Sequence, residues 1–211
     1  MKKFWSITLL AMLMLTLRTS AASFEESTPL KVARLPIIIL STTPNEDIMM
    51  GLERKIERAI HVPLNNTLNA IEYIPTNEAT EALQKVWDKI YKKGRKVRLQ
   101  DAMEPLAKKL DADIVICPVL RRFSQHVMVG TAMSLSSENH MISNAEVELI
   151  IYDRNIKELT SKKESRSYNG EESSWGSARF LAEDCLLKVI EQTKLRDRVL
   201  RYTPLGNKNN E

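Results

Sequence analysis

Apolar and polar positions follow two rhythms along this chain, and each rhythm predicts an element. Residues 32–40 are apolar at both parities and rich in β-branched side chains, the pattern of a strand buried on both faces. Pro36 puts its true start at Ile37, or marks a place where one amide is not needed. Ile48, Leu52, Ile56, Ala59 and Ile60 then recur at helical spacing. Thr43 reads as the cap of that helix, Pro44 as its first residue and Glu46 as the acid that bonds back to the cap. Pro63 ends it and Asn65-Asn66 turns the chain. Residues 70–74 form a short strand, and a second helix follows Thr76-Asn77 with the stripe Ala79, Leu83, Val86, Trp87 and Ile90. Gly94 is placed to stop it. Asp101 and Glu104 make a capping pair for a third, short helix that carries Pro105 in its first turn and ends at Leu110.

Residues 114–120 are the most apolar stretch past the leader and predict a central strand, in which Pro118 argues against pairing on both sides. Residues 124–144 lose the pattern, and residues 136–139 read as a turn, so the chain makes a long hairpin here. From Ala145 the alternation is clean, with Val147, Leu149 and Ile151 on its side and Glu146 and Glu148 opposite, as in a half-buried antiparallel strand. Asp153-Arg154-Asn155 leads into a polar strand over residues 159–167, which Asn169-Gly170 breaks. Ser173 or Ser174 caps a long last helix whose stripe is Ala178, Leu181, Ala182, Cys185, Leu186, Val189 and Ile190. The whole is an α/β (α+β) fold, a single mixed sheet with helices packed on it in the order β-α-β-α-α-β-β-β-α, with an extended β-hairpin. One domain over residues 31–200 is expected, with a flexible lead-in at 23–30 and a disordered tail at 201–211.

The amino terminus changes the picture. Lys2 and Lys3 precede an uncharged apolar run over residues 4–17, and Ser20-Ala21-Ala22 supplies small residues, the three parts of a cleavable secretion signal over residues 1–22. The run is shorter than the roughly 20 residues a membrane span takes, and the first cysteine is Cys117, so neither a spanning anchor nor a lipidated cysteine is expected. Cleavage near Ala22 places the product in the periplasm or outside the cell. The 31 basic residues, less Lys2, Lys3 and Arg18 of the leader, leave 28 against 27 acidic ones. The basic balance thus belongs to the leader, and a nucleic-acid partner loses its support.

Candidate chemistry is sparse. His61, His126 and His140 stand in no nucleophile or metal motif, although the last two lie on opposite arms of the hairpin, so no catalytic residue, metal or cofactor is expected. Cys117 on the central strand and Cys185 on the last helix are two buried free thiols or, if that helix lies over that strand, a disulfide. Lys92, Lys93, Arg95, Lys96 and Arg98 put five cations in seven residues, an anion-binding loop or a solvated helix end. Arg121-Arg122 could add to it. Met128, Met133 and Met141 lie in the hairpin and Trp175 at a helix start, a candidate partner-binding set, with the hairpin expected to be dispensable for folding.

Three segments carry a family likeness. They are Leu106-Ala107-Lys108-Lys109-Leu110-Asp111-Ala112-Asp113-Ile114-Val115, the alternating strand ending in Tyr152-Asp153, and the closing helix begun by Ser173-Ser174. Together with the element order they resemble the small α/β domain of bacterial envelope proteins: the curli-export lipoprotein family, the lipoprotein activators of peptidoglycan synthases and the amino-terminal domain of the Tol-system propeller protein. Asp111 stands where that pattern often has glycine, and Asn155-Ile156 where it has Thr-Gly. The resemblance implies a non-catalytic envelope role built on protein contacts. The expected function is an adaptor or assembly component whose partners are envelope proteins or a second copy of itself. The alternative is a binder of an anionic envelope polymer or lipid through the basic loop.

Overall fold

A computed structural model describes residues 28–63, 65–91, 97–129 and 139–203. The expected secretion signal at residues 1–22, Lys92, Lys93, Gly94, Arg95, Lys96, Met133 and the residues from Pro204 on lie outside the described residues. The apolar run at 30–39 is two strands, β1 (Leu30–Arg34) and β2 (Ile38–Ile39), separated at Pro36. Both pair in parallel with β4 (Ile114–Met128), so the break costs no neighbour. Pro118 falls in the stretch of β4 between its pairings with β1 and β2, where its missing amide is tolerated, while its other side pairs with Leu149.

Helix α1 (Glu46–Ile60) starts two residues later than its Thr-Pro signature suggests. Asn45 is the cap, its Oδ1 accepting from the Ile48 amide at 3.0 Å, and Pro44 stays outside the helix. The Asn65-Asn66 turn is a single helical turn, α2 (Asn65–Leu68), and Asn65 clamps Ile71 of β3 (Ile71–Ile74) through both its amide groups. Helix α3 (Thr76–Tyr91) follows the sequence pattern. Asp101 accepts from the Arg98 amide and caps a 3-10 turn (Leu99–Ala102), and Glu104 pairs with Lys108 rather than reaching back. Helix α4 (Met103–Leu110) ends on Asp111 in the left-handed region, φ 50°. The aspartate takes a conformation that favours glycine and is bound by Arg154 and Lys31 at 2.6 and 3.0 Å.

β4, β5 (His140–Asp153) and β6 (Glu158–Glu171) form a long antiparallel ladder. Residues 124–128 and 140–144 are inside that ladder, so both described arms of the segment expected to be a dispensable hairpin are sheet. Helix α5 (Ala178–Gln192) is capped by Ser177, not by Ser173 or Ser174, and α6 (Leu195–Arg201) follows it. The six-stranded sheet runs β3-β1-β4-β5-β6, with β2 beside β4.

Two cores lie on the two sheet faces. Leu52 and Ile56 of α1, Leu186 and Val189 of α5 and Leu195 of α6 pack on Ile114, Ile116, Leu149 and Ile151. Val86 of α3 and Met103 and Leu106 of α4 pack on Val115, Cys117, Val119 and Ile150. Cys185 belongs to the first core and Cys117 to the second, with the sheet between them, so both are buried free thiols and the bridge is ruled out.

Candidate functional site

The helix layer of α3 and α4 covers β1 and β4 but stops short of the far half of the ladder, and a groove of about 730 Å³ opens where it ends. Its helix wall is the α3 face that carries Thr80, Leu83, Gln84 and Trp87. Its floor is Ile38 and Leu40 from β2 and the residue after it, with Val119 of β4. Leu99 and Gln100 close one end, and Arg98 and Arg121 stand at the rim. Trp87, expected in the core, is half-buried: it packs against the second core and also lines this groove.

Behind the rim lies a polar cluster that the alternation does not reveal. Glu148 is 4 % exposed although its strand reads as half-buried, because Ile150 and Tyr152 on the same side are covered as well. Its carboxylate pairs with Arg121, accepts from Ser161 and accepts from Gln100 Nε2 at 3.0 Å. A buried charge needs such partners, and these three come from β4, β6 and the turn after α3. The cluster fixes Arg121 and Gln100 at the end of the groove.

The second feature is the end of the ladder where Met128 pairs with His140. Val127, Met128 and Val129 are exposed there, Met128 at 53 %. Trp175, 70 % exposed, stacks edge-on against Phe180 with ring centroids 4.9 Å apart. Gln125 ties the two parts together by accepting from the Ala178 amide at the start of α5, and Glu172 donates its amide to Asn139. Gly176 lies so close to the Tyr168 ring that an added Cβ would sit 2.3 Å from it, so only glycine lets this link pack. Met128 and Trp175 therefore share one end of the molecule. Met141 does not join them, being 3 % exposed and packed inside the ladder.

The remaining candidates are separate. Arg98 reaches the groove rim. His126 and His140 lie two rungs apart on the hairpin, where His140 bonds Asn169, and the described residues hold no group of three metal-ligating side chains. Burial pushes the Cys117 thiol up to about 12 and the Cys185 thiol to about 11. No described helix is long and apolar enough to cross a membrane.

No protein-family model and no curated protein matches the chain. Solved structures are similar to it in topology. The PelC dodecamer from Paraburkholderia phytofirmans is 13 % identical with a TM-score of 0.40, over 81 % of this chain and 89 % of that one. Lipoprotein GNA1162 from Neisseria meningitidis is 14 % identical at 0.38, over 79 % and 99 %. The LpoB C-terminal domain from Salmonella enterica is 10 % identical at 0.32, over 71 % and 90 %. The likeness to bacterial envelope lipoproteins is thus one of topology alone.

Proposed function

We propose that the chain is an exported, non-catalytic protein of the cell envelope that works as an adaptor or assembly component by binding another protein. The observation that carries the reading is the exposed apolar end formed by Val127, Met128, Val129, Trp175 and Phe180. Soluble surfaces seldom group large apolar side chains, and a tryptophan set on a rigid support is the commonest kind of contact hot spot. The thiols speak against nucleophilic chemistry, since burial raises both pKa values where a reactive cysteine needs a lowered one. Export rests on the leader, with cleavage near Ala22 and a periplasmic or extracellular product.

The test is capture of envelope proteins on immobilised exported protein, compared with its Met128→Ser/Trp175→Ser variant. The variant is expected to keep its circular dichroism and lose the captured band, and the band is expected to survive raised salt, because apolar contacts are not screened. Equal capture by both proteins would remove this end as the contact. A band that vanishes with salt would move the reading to charge-driven binding.

A further inference from the structure

The groove under Trp87 has a chemistry that the exposed end lacks. Its walls are apolar side chains of α3, β2 and β4, its rim carries two arginines, and no acid is among its lining residues in the described part of the chain. The two arginines differ. The charge of Arg121 is answered by Glu148, whereas Arg98 is exposed and makes no ion pair among the described residues. One end of an apolar groove thus presents an unanswered positive charge. Gln84 adds an amide group along the walls, and Thr80 and Gln100, which donate to the Thr76 carbonyl and to Glu148, add oxygens that can accept, groups that suit the main chain of a guest better than an acyl chain. β2 pairs with β4 alone among the described residues, so its other edge is open to a strand-like guest. The size falls in the range of about 300–1,000 Å³ that ligand clefts occupy.

We infer that this groove is a second docking site, one that takes an extended peptide segment of a partner protein carrying an aliphatic or aromatic side chain beside a carboxylate. The apolar side chain lies against Leu83, Trp87 and Leu99, and the carboxylate meets Arg98. Glu148 acts through Arg121 and Gln100 by holding them at the groove end, and touches no guest itself. The site is independent of the exposed end, and an adaptor with two contacts can hold two partners at once.

Trp87 reports occupancy directly. Trp5→Phe with Trp175→Phe leaves it the sole tryptophan of the three. This variant is titrated with a panel of short peptides in which Ile, Leu, Phe or Trp is flanked by Asp or Glu, and with the same peptides bearing Lys instead. The acidic set is expected to give a saturable change in Trp87 emission that the basic set does not. Leu40→Asp, at a lining position that is already exposed, is expected to abolish the change with the melting curve intact. Arg98→Ala is expected to weaken it about two- to fivefold, the share of an exposed ion pair. Adding Met128→Ser is expected to leave it unaltered, so loss of the exposed end and loss of the groove are told apart. The inference is overturned if no peptide in the panel saturates. It is equally overturned if dodecyl phosphate or phosphatidylglycerol vesicles saturate Trp87 and peptides do not, which would make the groove an amphiphile's site.

Discussion

At the scale of single residues the charges divide into those the fold buries and those it leaves in water, and the two respond differently to loss of a partner. Glu148 is 4 % exposed, while the Arg121 side chain beside it is 38 % exposed. Removing the arginine strands a carboxylate away from solvent, at a cost of about 3 kcal/mol. Removing the carboxylate's charge lets the arginine turn outward, at a cost nearer 1 kcal/mol. Arg121→Ala is therefore expected to lower the urea midpoint more than Glu148→Gln, and the reverse order would mean that the pair is solvated from the other side. Asp111 is the opposite case, fully exposed and held below the usual carboxylate range first by Arg154 and then by Lys31. A depressed carboxyl stabilises the fold above its unfolded pKa, and that stability is lost as the pH falls through the folded value. Asp111→Asn keeps the left-handed backbone tolerance and discards the charge. Melting curves of the two proteins are expected to differ at pH 6 and to draw together as the pH falls below the ordinary carboxylate value and through the lowered one, where the parent's carboxyl is protonated as well.

At the scale of elements the ladder β4-β5-β6 decides what the hairpin is worth. Replacing residues 125–143 by a short Gly-Ser turn removes the rungs from Gln125–Ser143 to Met128–His140, and it deletes buried Met141 and the Gln125 bond to Ala178. The expected loss exceeds about 3 kcal/mol, from a core methionine and a half-buried hydrogen bond together. Met128→Ser is expected to cost less than about 0.5 kcal/mol, as surface changes do. Denaturant unfolding checks both, and a shortened protein as stable as its parent would put these rungs outside the cooperative fold. Sequence pattern alone points the other way, and the bulge between Leu120 and Arg122 is the cause. Leu120 and Phe123 pack toward the same core although they are three positions apart, so a period of two breaks there and the strand is no longer legible. The same limit applies to the caps, because Thr43 and Asn45 are both good N-cap residues and only the path of the chain chooses between them. The amphipathic helices α1, α3 and α5 were legible because their partners lie on one side and impose one period, and the strand at 145–153 because Ala145, Val147, Leu149 and Ile151 share one core face, although Ile150 and Tyr152 are buried on the other. Glu148 was not, since a polar residue in an alternating strand looks the same whether solvent or a neighbouring turn faces it. The groove was equally invisible, being assembled from α3, β2, β4 and a turn that are far apart in sequence.

At the scale of the whole molecule the two cores are tied through one sheet, and this governs how it unfolds. β4 sends Ile114 and Ile116 to one face and Val115 and Cys117 to the other, and β5 divides Leu149 and Ile151 from Ile150 in the same way. Each helix layer loses the sheet face it packs on once the shared strands are lost, so the layers are expected to melt together. Leu106 of α4 and Leu186 of α5 sit in different cores and are both essentially inaccessible to solvent. Truncating either to alanine is expected to cost about 3 kcal/mol, which for a chain of this size lowers the melting temperature by about 10 °C. The tryptophans make the test specific, because Trp87 lies on the α4 side and Trp175 at the start of α5. In single-tryptophan versions of each variant, emission from Trp87 and from Trp175 is expected to change at one temperature whichever core was cut. Leu186→Ala melting the Trp175 signal well before that of Trp87 would separate the layers, and with them the assumption that both proposed contact surfaces ride on one rigid body.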